Sequence, residues 1–476
     1  MRRSLIAAIG LGLVAALAQP ARAAVPEEHN PGVTPNVVLI LLDDARVDDM
    51  STMPDVQARI GDQGATFQHF YSSFPLCCPA RATLLTGQYP HNPGVLGNHA
   101  PTGGFHEFND GSTLATWLDP TYRTGLIGKY FNEYAAPYQP PGWNEWMVPE
   151  SMYGYRSPSW YVDQGSGGEY VSYPGYQTNA IGSLAADFIT RNAPSPEPFF
   201  LYTSIVAPHG GKPREADDPT GIGTPAVASQ YRDLFAGLAS TDPSFNEADV
   251  SDKPIQRPPL TEAEIAGLTE ANAQRREAGL STQDATNVIL DALQASGELD
   301  NTYVVFMSDN GYLLGEHRIR IGKIAPYEVA TRVLMMVRGP GIAAGTVIED
   351  LAAQVDFAPT VLSMTHTVSP DPTVIDGIDL LPKMLDPALP LTREAVVIEA
   401  TQIRSPSDPL PWLYHGVLDG RWKYVERESG RKELYDLASD PYELQNVAGD
   451  MAYAETEARL ASLLITYKWC KGLECQ

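Results

Sequence analysis

Four short apolar runs, each ending abruptly in polar residues, constrain this chain more than any other feature. Residues 36–42 (NVVLILL) run into Asp43-Asp44, and 124–128 (TGLIG) into Lys129. Residues 199–206 (FFLYTSIV) run into Ala207-Pro208-His209, and 303–307 (YVVFM) into Ser308-Asp309-Asn310-Gly311. Continuous apolar runs of this length are the pattern of strands covered on both faces, as in a parallel sheet. Helical patterns lie between them at 79–86, 178–191, 261–278 and 282–296, so the alternation predicts an α/β sandwich. In such sheets ligands bind beyond the carboxyl ends of the strands. Here the polar residues gather at those ends as one set.

Beyond residue 385 the texture changes. REAVVIEAT, HGVLDGRWKYVERES and RKELYDL read as strands separated by turn residues, followed by a helix near 453–467. A smaller antiparallel sheet with a packed helix is expected, dividing the chain after its leader into 24–385 and 386–476. The Tyr-, Gly- and Ser-rich segment 151–176 reads as a hairpin around 165–168. Its aromatics either line a sugar site or cover the sheet edge.

Arg2 and Arg3, an apolar run over 5–18 and Ala21-Arg22-Ala23 form an export signal over residues 1–23. That run is too short to span a bilayer, and no later stretch is long enough. The mature chain is therefore expected outside the cytoplasm, secreted or periplasmic, with no membrane span. Net charge is −25, falling to roughly −28 once the three leader arginines are removed. A generic nucleic-acid binder, which holds its partner with basic surface, is excluded. Any anion site must be a local cationic pocket. Of four cysteines, Cys470 and Cys475 read as a local disulfide, which leaves the adjacent pair Cys77-Cys78 without distant partners.

Adjacent carboxylates leaving a buried strand repel each other by several kcal/mol at an effective dielectric of about 20. Asp43-Asp44 therefore favours a shared cation, whereas Asp48-Asp49 and Asp217-Asp218 lie in polar surroundings and are expected to be solvated. Asp309 and Asn310 close another strand, and three carboxylates with an amide form an all-oxygen set suited to Ca²⁺ or Mg²⁺. The alternative for Asp309-Asn310-Gly311 is a simple turn. Pro79 stands at a first helical position and Gly87 just past the end, placing Cys77 by a helix N-terminus that favours an anion. A thiolate beside a hard, oxygen-ligated cation is a poor match. The chemistry calls for an oxygen nucleophile at Cys77.

Cys77-x-Pro79-x-Arg81 followed by Thr86-Gly87 resembles the active-site motif of the type I sulfatases. LLDD, GKYFNEY, APH, LDNTYVVFMSDNGY, VRGPGI, DFAPTVL and ELYDLASDPYE resemble further blocks of that family in the expected order. LCCPARATLLTGQYPHN and GKYFNEY are most similar to the N-acetylglucosamine-6-sulfatases and heparan 6-O-endosulfatases. The resemblance implies an alkaline-phosphatase-like sandwich and a hydrolase of sulfate monoesters on sugars or aryl groups. It implies that a separate formylglycine-generating enzyme oxidises Cys77 to formylglycine, whose hydrate supplies an oxygen nucleophile, while Cys78 fills a variable position. It also implies Asp43, Asp44, Asp309, Asn310 and the modified Cys77 as metal ligands, Arg81 stabilising the hydrate, and Lys129 and Lys323 neutralising sulfate oxygens. His209 would meet the sulfate or the leaving oxygen as a general acid.

The chain departs from the family in two places. Many arylsulfatases carry a histidine two residues after the pocket lysine, where this chain has Phe131 followed by Asn132 and Glu133. LGEH, ending at His317, resembles other sulfatase branches and lacks the Gln-Phe pair of the glucosamine-6-sulfatases. Asn132 and His317 are candidate substrate contacts, His317 touching either the leaving group or only the loop backbone. Two alternatives stand beside the leading reading: a phosphonate or phosphate-ester hydrolase of the same superfamily, and a non-catalytic protein that binds sulfated glycans.

Overall fold

The structure, a computed structural model, describes residues 34–156, 158–401 and 412–476. The expected export signal at 1–23 therefore lies outside the described residues. Among those described, no helix is long and apolar enough to cross a membrane.

The four apolar runs lie side by side in a ten-stranded sheet. They form β1 (Asn36–Asp43), β2 (Arg123–Gly128), β3 (Phe199–Pro208) and β4 (Thr302–Ser308). Their order is β4-β1-β3-β2, all parallel, with Leu39 facing Tyr202 on one side and Val305 on the other. Glu145–Pro149 extends the parallel core beyond β2, and Met335–Arg338 joins β4 antiparallel.

Both faces of β1 are covered, as the unbroken apolar run requires. Val37, Leu39 and Leu41 enter one core, while Val38, Ile40 and Leu42 enter the other. All six are fully buried, and each such side chain contributes about 1.5–3 kcal/mol. The first core is completed by α1 (Cys77–Thr86), through Cys78, Ala82, Leu84 and Leu85. The second is completed by α2 (Gln177–Asn192) and α3 (Glu262–Ser296), through Phe188, Ile189, Ile289 and Leu293.

Two boundaries differ from expectation. The patterns at 261–278 and 282–296 belong to one helix, α3. Thr261 and Glu264 cap its start reciprocally and Gly297, at φ 77°, ends it. Gly279 does not break it, because a glycine inside a helix costs only about 1 kcal/mol. The absent side chain lets the turn over Val47–Thr52 approach, since a Cβ there would stand 3.3 Å from Thr52 Oγ1. Helix α1 starts at Cys77, two residues before Pro79, which is tolerated in a first turn whose N–H groups lack helical partners.

The C-terminal sheet follows the predicted order: Val396–Thr401, Trp412–Leu418, Trp422–Arg427 and Lys432–Asp436, all antiparallel. Helix Ala454–Tyr467 packs on it through Leu460, Leu464 and Tyr467. Cys470 and Cys475 are disulfide-bonded. The same core takes in Phe74 and Leu76, so this sheet supports the chain leading into Cys77. The expected hairpin pairs Ser159–Asp163 with Glu169–Ser172 at the edge of the large sheet.

Candidate active site

The carboxyl ends of all four parallel strands converge on one polar cluster. At the end of β1, successive side chains would ordinarily alternate faces. Asp44 instead adopts φ 65°, a left-handed conformation that aspartate tolerates better than most residues. The turn brings Asp43, Asp44 and Asp309 carboxylate oxygens within 4.8 Å of one another. At the end of β2, Gly128 has φ 110°, and a Cβ there would stand 2.1 Å from Ser204 O. Only glycine permits that approach, which delivers Lys129 to Asp43 as a buried ion pair.

Helix α1 presents its first residue to this cluster. Cys77 Sγ lies 3.4 Å from Asp43 Oδ1 and 2.9 Å from Lys323 Nζ, and the Lys323 ammonium also pairs with Asp44. One turn further, Arg81 donates through Nε and Nη2 to Asp309 Oδ2 at 3.0 and 2.9 Å. Its Nη1 reaches Ser204 Oγ at 2.7 Å and Lys129 O at 3.1 Å. His209, just past β3, places Nε2 3.7 Å from Asp44 Oδ2 and holds Nδ1 2.6 Å from Gly210 O. Asp43, Asp44, Arg81, Lys129, Asp309 and Asn310 are all buried. The side chains of Lys323 and His209, 12 and 23% exposed, form the open side of the cluster.

The electrostatics are tightly balanced. Burial disfavours charge on Asp43 and Asp44, yet the facing cations outweigh it and hold both carboxyls below their usual range. Burial, reinforced by Asp43, pushes Asp309 up to about 6. Burial also pushes the Cys77 thiol up to about 11 and that of Cys78 to about 12. At neutral pH both cysteines are protonated, so neither is a thiolate nucleophile. Burial lowers the His209 pKa despite Asp43 and Asp44 nearby. With Nδ1 directed at a carbonyl oxygen, the neutral ring offers Nε2 as an acceptor.

A hard divalent cation fits these residues. Three carboxylates face three side-chain cations, and Asn310 Oδ1 is buried without a hydrogen-bond partner. An orphaned carbonyl oxygen beside clustered carboxylates is an oxygen donor set of the kind Ca²⁺ and Mg²⁺ use. A bound dication would also leave the site net positive, as an anionic substrate requires.

Other expectations are refined by the structure. Asp48, Asp49 and Asp218 are not merely solvated. Asp48 pairs with Arg46 and Arg276, Asp49 caps the Arg46 backbone and meets Arg275, and Asp218 accepts from Glu215 N and Thr224 Oγ1. Asn132 lies at the site, donating to Tyr153 Oη at 3.0 Å, while its N–H meets Cys78 Sγ at 3.2 Å. His317 is buried, with Nδ1 2.7 Å from Glu247 Oε2 and its ring 4.0 Å from that of Tyr327.

The Tyr-rich segment divides between its two readings. Trp160 and Tyr176 are buried at the sheet edge. Tyr153 instead stacks on His209 with ring centroids 4.5 Å apart, and Lys129 Nζ lies 5.0 Å from its ring centre. Nothing in the local sequence distinguishes Tyr153 from its aromatic neighbours, so sequence reasoning missed it.

Comparison with known proteins identifies the family. A sequence model of the sulfatase family matches residues 35–367, and one of the N-sulphoglucosamine sulphohydrolase C-terminal region matches 315–469. The N-acetylglucosamine-6-sulfatase of Bos taurus is 30% identical over 473 residues, covering 90% of this chain and 81% of that protein. The extracellular sulfatase SULF-1 homolog of Drosophila melanogaster is 34% identical over 365 residues, covering 74% of this chain but only 31% of that longer protein. A solved structure described as bound to its substrate, D-glucosamine-2-N,6-O-disulfate, superposes with a TM-score of 0.72 at 23% identity, covering 91% of this chain and 97% of its own. With the parallel sheet, the antiparallel C-terminal sheet and a family match across most of its length, this chain has the alkaline-phosphatase-like fold and belongs to the sulfatase family of sulfate-ester hydrolases.

Proposed function

We propose that the chain, exported and matured by a formylglycine-generating enzyme acting on Cys77, hydrolyses sulfate monoesters of small sulfated sugars. The observation that carries the reading is the convergence on Cys77 of Asp43 and Lys323, with Lys129, Arg81 and His209 around them. The Bos taurus relative is an N-acetylglucosamine-6-sulfatase and the substrate-bound neighbour holds a 6-O-sulfated glucosamine, which supports the sugar class. In this reading 24–385 is the catalytic unit and 386–476 a supporting one.

Asp43, Asp44, Asp309 and Asn310 would hold Ca²⁺ or Mg²⁺ together with the modified side chain at 77. When bound, such a cation lowers the pKa of a hydroxyl beside it and neutralises sulfate oxygens. A formylglycine hydrate at position 77 would supply an oxygen nucleophile and a second hydroxyl, which a thiol cannot offer.

The chain's own residues do the rest. Lys323 and Lys129 flank position 77 and balance the charge of the sulfate group. Arg81, locked by Asp309 and Ser204, fixes the orientation of α1 and of the side chain at 77. His209, holding its proton on Nδ1, would take at Nε2 the proton given up by the attacking hydroxyl and pass it to the leaving alcohol oxygen. Tyr153 holds the imidazole plane. Because the buried carboxylates fix the cations in advance, little reorganisation accompanies charge development in the transition state.

The test is sulfate release from glucosamine-6-sulfate by protein co-expressed with a formylglycine-generating enzyme. Wild type should release inorganic sulfate and Cys77→Ala should not. Equal release by both would overturn the assignment, and release of phosphate or phosphonate esters in preference to sulfate would move the chain to the phosphorus branch of the superfamily.

A further inference from the structure

We propose that Lys423, in the C-terminal sheet, is a positioning residue that sets the sulfate-binding Lys323 from a distance. The inference rests on the role given to Lys323 above. It begins with a buried charge that the proposed chemistry does not use. Lys423 is fully buried, and an unpaired ammonium there would be prohibitively costly. Its Nζ is surrounded by three oxygens: Glu443 Oε1 at 2.7 Å, Pro326 O at 2.8 Å and Glu328 Oε1 at 2.9 Å.

Those contacts grip the segment that carries Lys323. Glu443 also accepts the Glu328 N–H at 2.6 Å, and Tyr327 Oη donates to Glu433 Oε2 at 3.1 Å. Glu433 is itself fixed by Arg427 Nε at 2.7 Å and Tyr435 Oη at 2.8 Å. Residues 326–328 are thus bound at three successive positions to the C-terminal sheet and the loop after it. On the other side of Lys323, Gly322 pairs with Leu313 through two backbone hydrogen bonds of 2.7 and 3.3 Å. The Ile324 N–H donates to Pro75 O at 3.1 Å, two residues before Cys77. Lys323 is held on one side by Gly322 and on the other by Ile324 and the cage around Lys423.

Chain connectivity carries the coupling. Two residues, Ile324 and Ala325, separate Lys323 from Pro326. Ile324 already sits at φ 48°, so it has little freedom to absorb a shift. Replacing Lys423 with an uncharged side chain would leave Glu328 and Glu443 facing each other across a buried gap with Pro326 O unpaired. The segment would move to relieve that repulsion, taking Lys323 away from Cys77 and Asp44. A displacement of about 1 Å at a catalytic site can lower turnover about 100-fold.

The experiment is a double-mutant comparison on the full-length, formylglycine-containing protein with an aryl sulfate as probe. Lys423→Met should lower kcat about 100-fold with little change in KM, and Lys423→Arg should restore part of the loss. Lys323→Ala should cost about 100- to 1,000-fold, and adding Lys423→Met to it should lower turnover no further. Where steady-state turnover is too slow to compare, single-turnover rates at saturating substrate replace it, with the same non-additive pattern expected. Glu443→Gln, which keeps the side-chain shape, supplies the same comparison if Lys423→Met fails to fold. Equal fold-losses with and without Lys323, or no loss on changing Lys423, would overturn the inference. Unchanged turnover in Lys323→Ala alone would instead overturn the sulfate-binding role of Lys323.

Discussion

Lys323 Nζ bridges the Cys77 sulfur, 2.9 Å away, and the Asp44 carboxylate, although 246 residues of chain separate Lys323 from Cys77. The bridge joins Cys77 to the acids at the end of β1 through one ammonium. Lysine suits the position because a point charge with rotatable donors can pass from sulfur or carboxylate to an arriving sulfate oxygen.

Cys77 and Cys78 should behave as chemically unlike neighbours. A peptide spanning both should show an aldehyde at 77, reactive with a hydrazide, and an unmodified thiol at 78. Cys78→Ser should keep most activity, because its side chain, carried on α1, meets Asn132 and otherwise lies in the first apolar core. Intact-mass and peptide spectra of active protein check both statements; a free thiol at 77 in fully active protein contradicts them.

Removal of divalent cations should abolish turnover, and Ca²⁺ or Mg²⁺ should restore it. Asp44→Ala or Asp309→Ala should lower kcat by at least about 100-fold, several kcal/mol in the barrier. The cation should also raise Tm, by about 2.7 kcal/mol of stability at 100 times its Kd. That rise should vanish in Asp309→Ala. Stoichiometric zinc with no hard cation would contradict the ligand set.

Tyr153→Ala should lower kcat by up to about tenfold, since an aromatic stack is worth about 0.5–1.5 kcal/mol. Tyr153→Phe keeps the ring over His209 and loses only the hydroxyl that meets Asn132. Its turnover should stay close to wild type. Steady-state kinetics of the pair separate stacking from hydrogen bonding.

Stability should respond to pH through two histidines that face Glu399. Burial, aided by Lys468 and His91, depresses His415 to about 3. The unfolded chain then binds the proton more readily, so stability is lost as pH falls from about 6.5 toward 3. His91 behaves oppositely. Burial disfavours its charge, but bonds to Glu399 at 2.9 Å and to Cys470 O at 3.0 Å raise its pKa. Its contribution is present below about 6.5 and is lost as pH rises through its folded value. Thermal melts from pH 4 to 8 should therefore show a shallower acid limb in His415→Gln and a shallower alkaline limb in His91→Gln. Parallel limbs in all three proteins would refute the assignment.

The negative surface should make small sulfated sugars better substrates than long heparin-like chains at low ionic strength. Added salt should narrow the difference, because the Debye length falls from about 10 Å at 0.1 M to about 3 Å at 1 M. Competition assays across salt concentrations measure this. A preference for long polyanions at low salt that disappears at high salt would contradict it.

The sequence alone determined the features that depend on local pattern. Unbroken apolar runs can be buried only between two covered faces, so β1 to β4 and their polar ends were legible, and with them Asp43, Asp44, Lys129, His209, Asp309 and Asn310. Pro79 and Gly87 placed Cys77 beside the N-terminus of α1, two residues short of including it, because proline and glycine mark helix ends locally. Continuity of α3 was not legible, since the two periodic patterns at 261–278 and 282–296 join through Gly279, where a neighbouring turn packs closely. Tertiary structure alone decided which aromatic entered the site. Tyr153, Tyr155 and Trp160 look alike along the chain, and only the fold stacks Tyr153 on the His209 ring while Tyr155 donates to the His209 carbonyl and Trp160 is buried in the core. The same holds for Lys423, which in sequence is an ordinary strand lysine. Its meaning arises from two glutamates and a carbonyl oxygen brought to it by the fold, because a charge acquires a partner, and a consequence, only when burial removes water as the alternative.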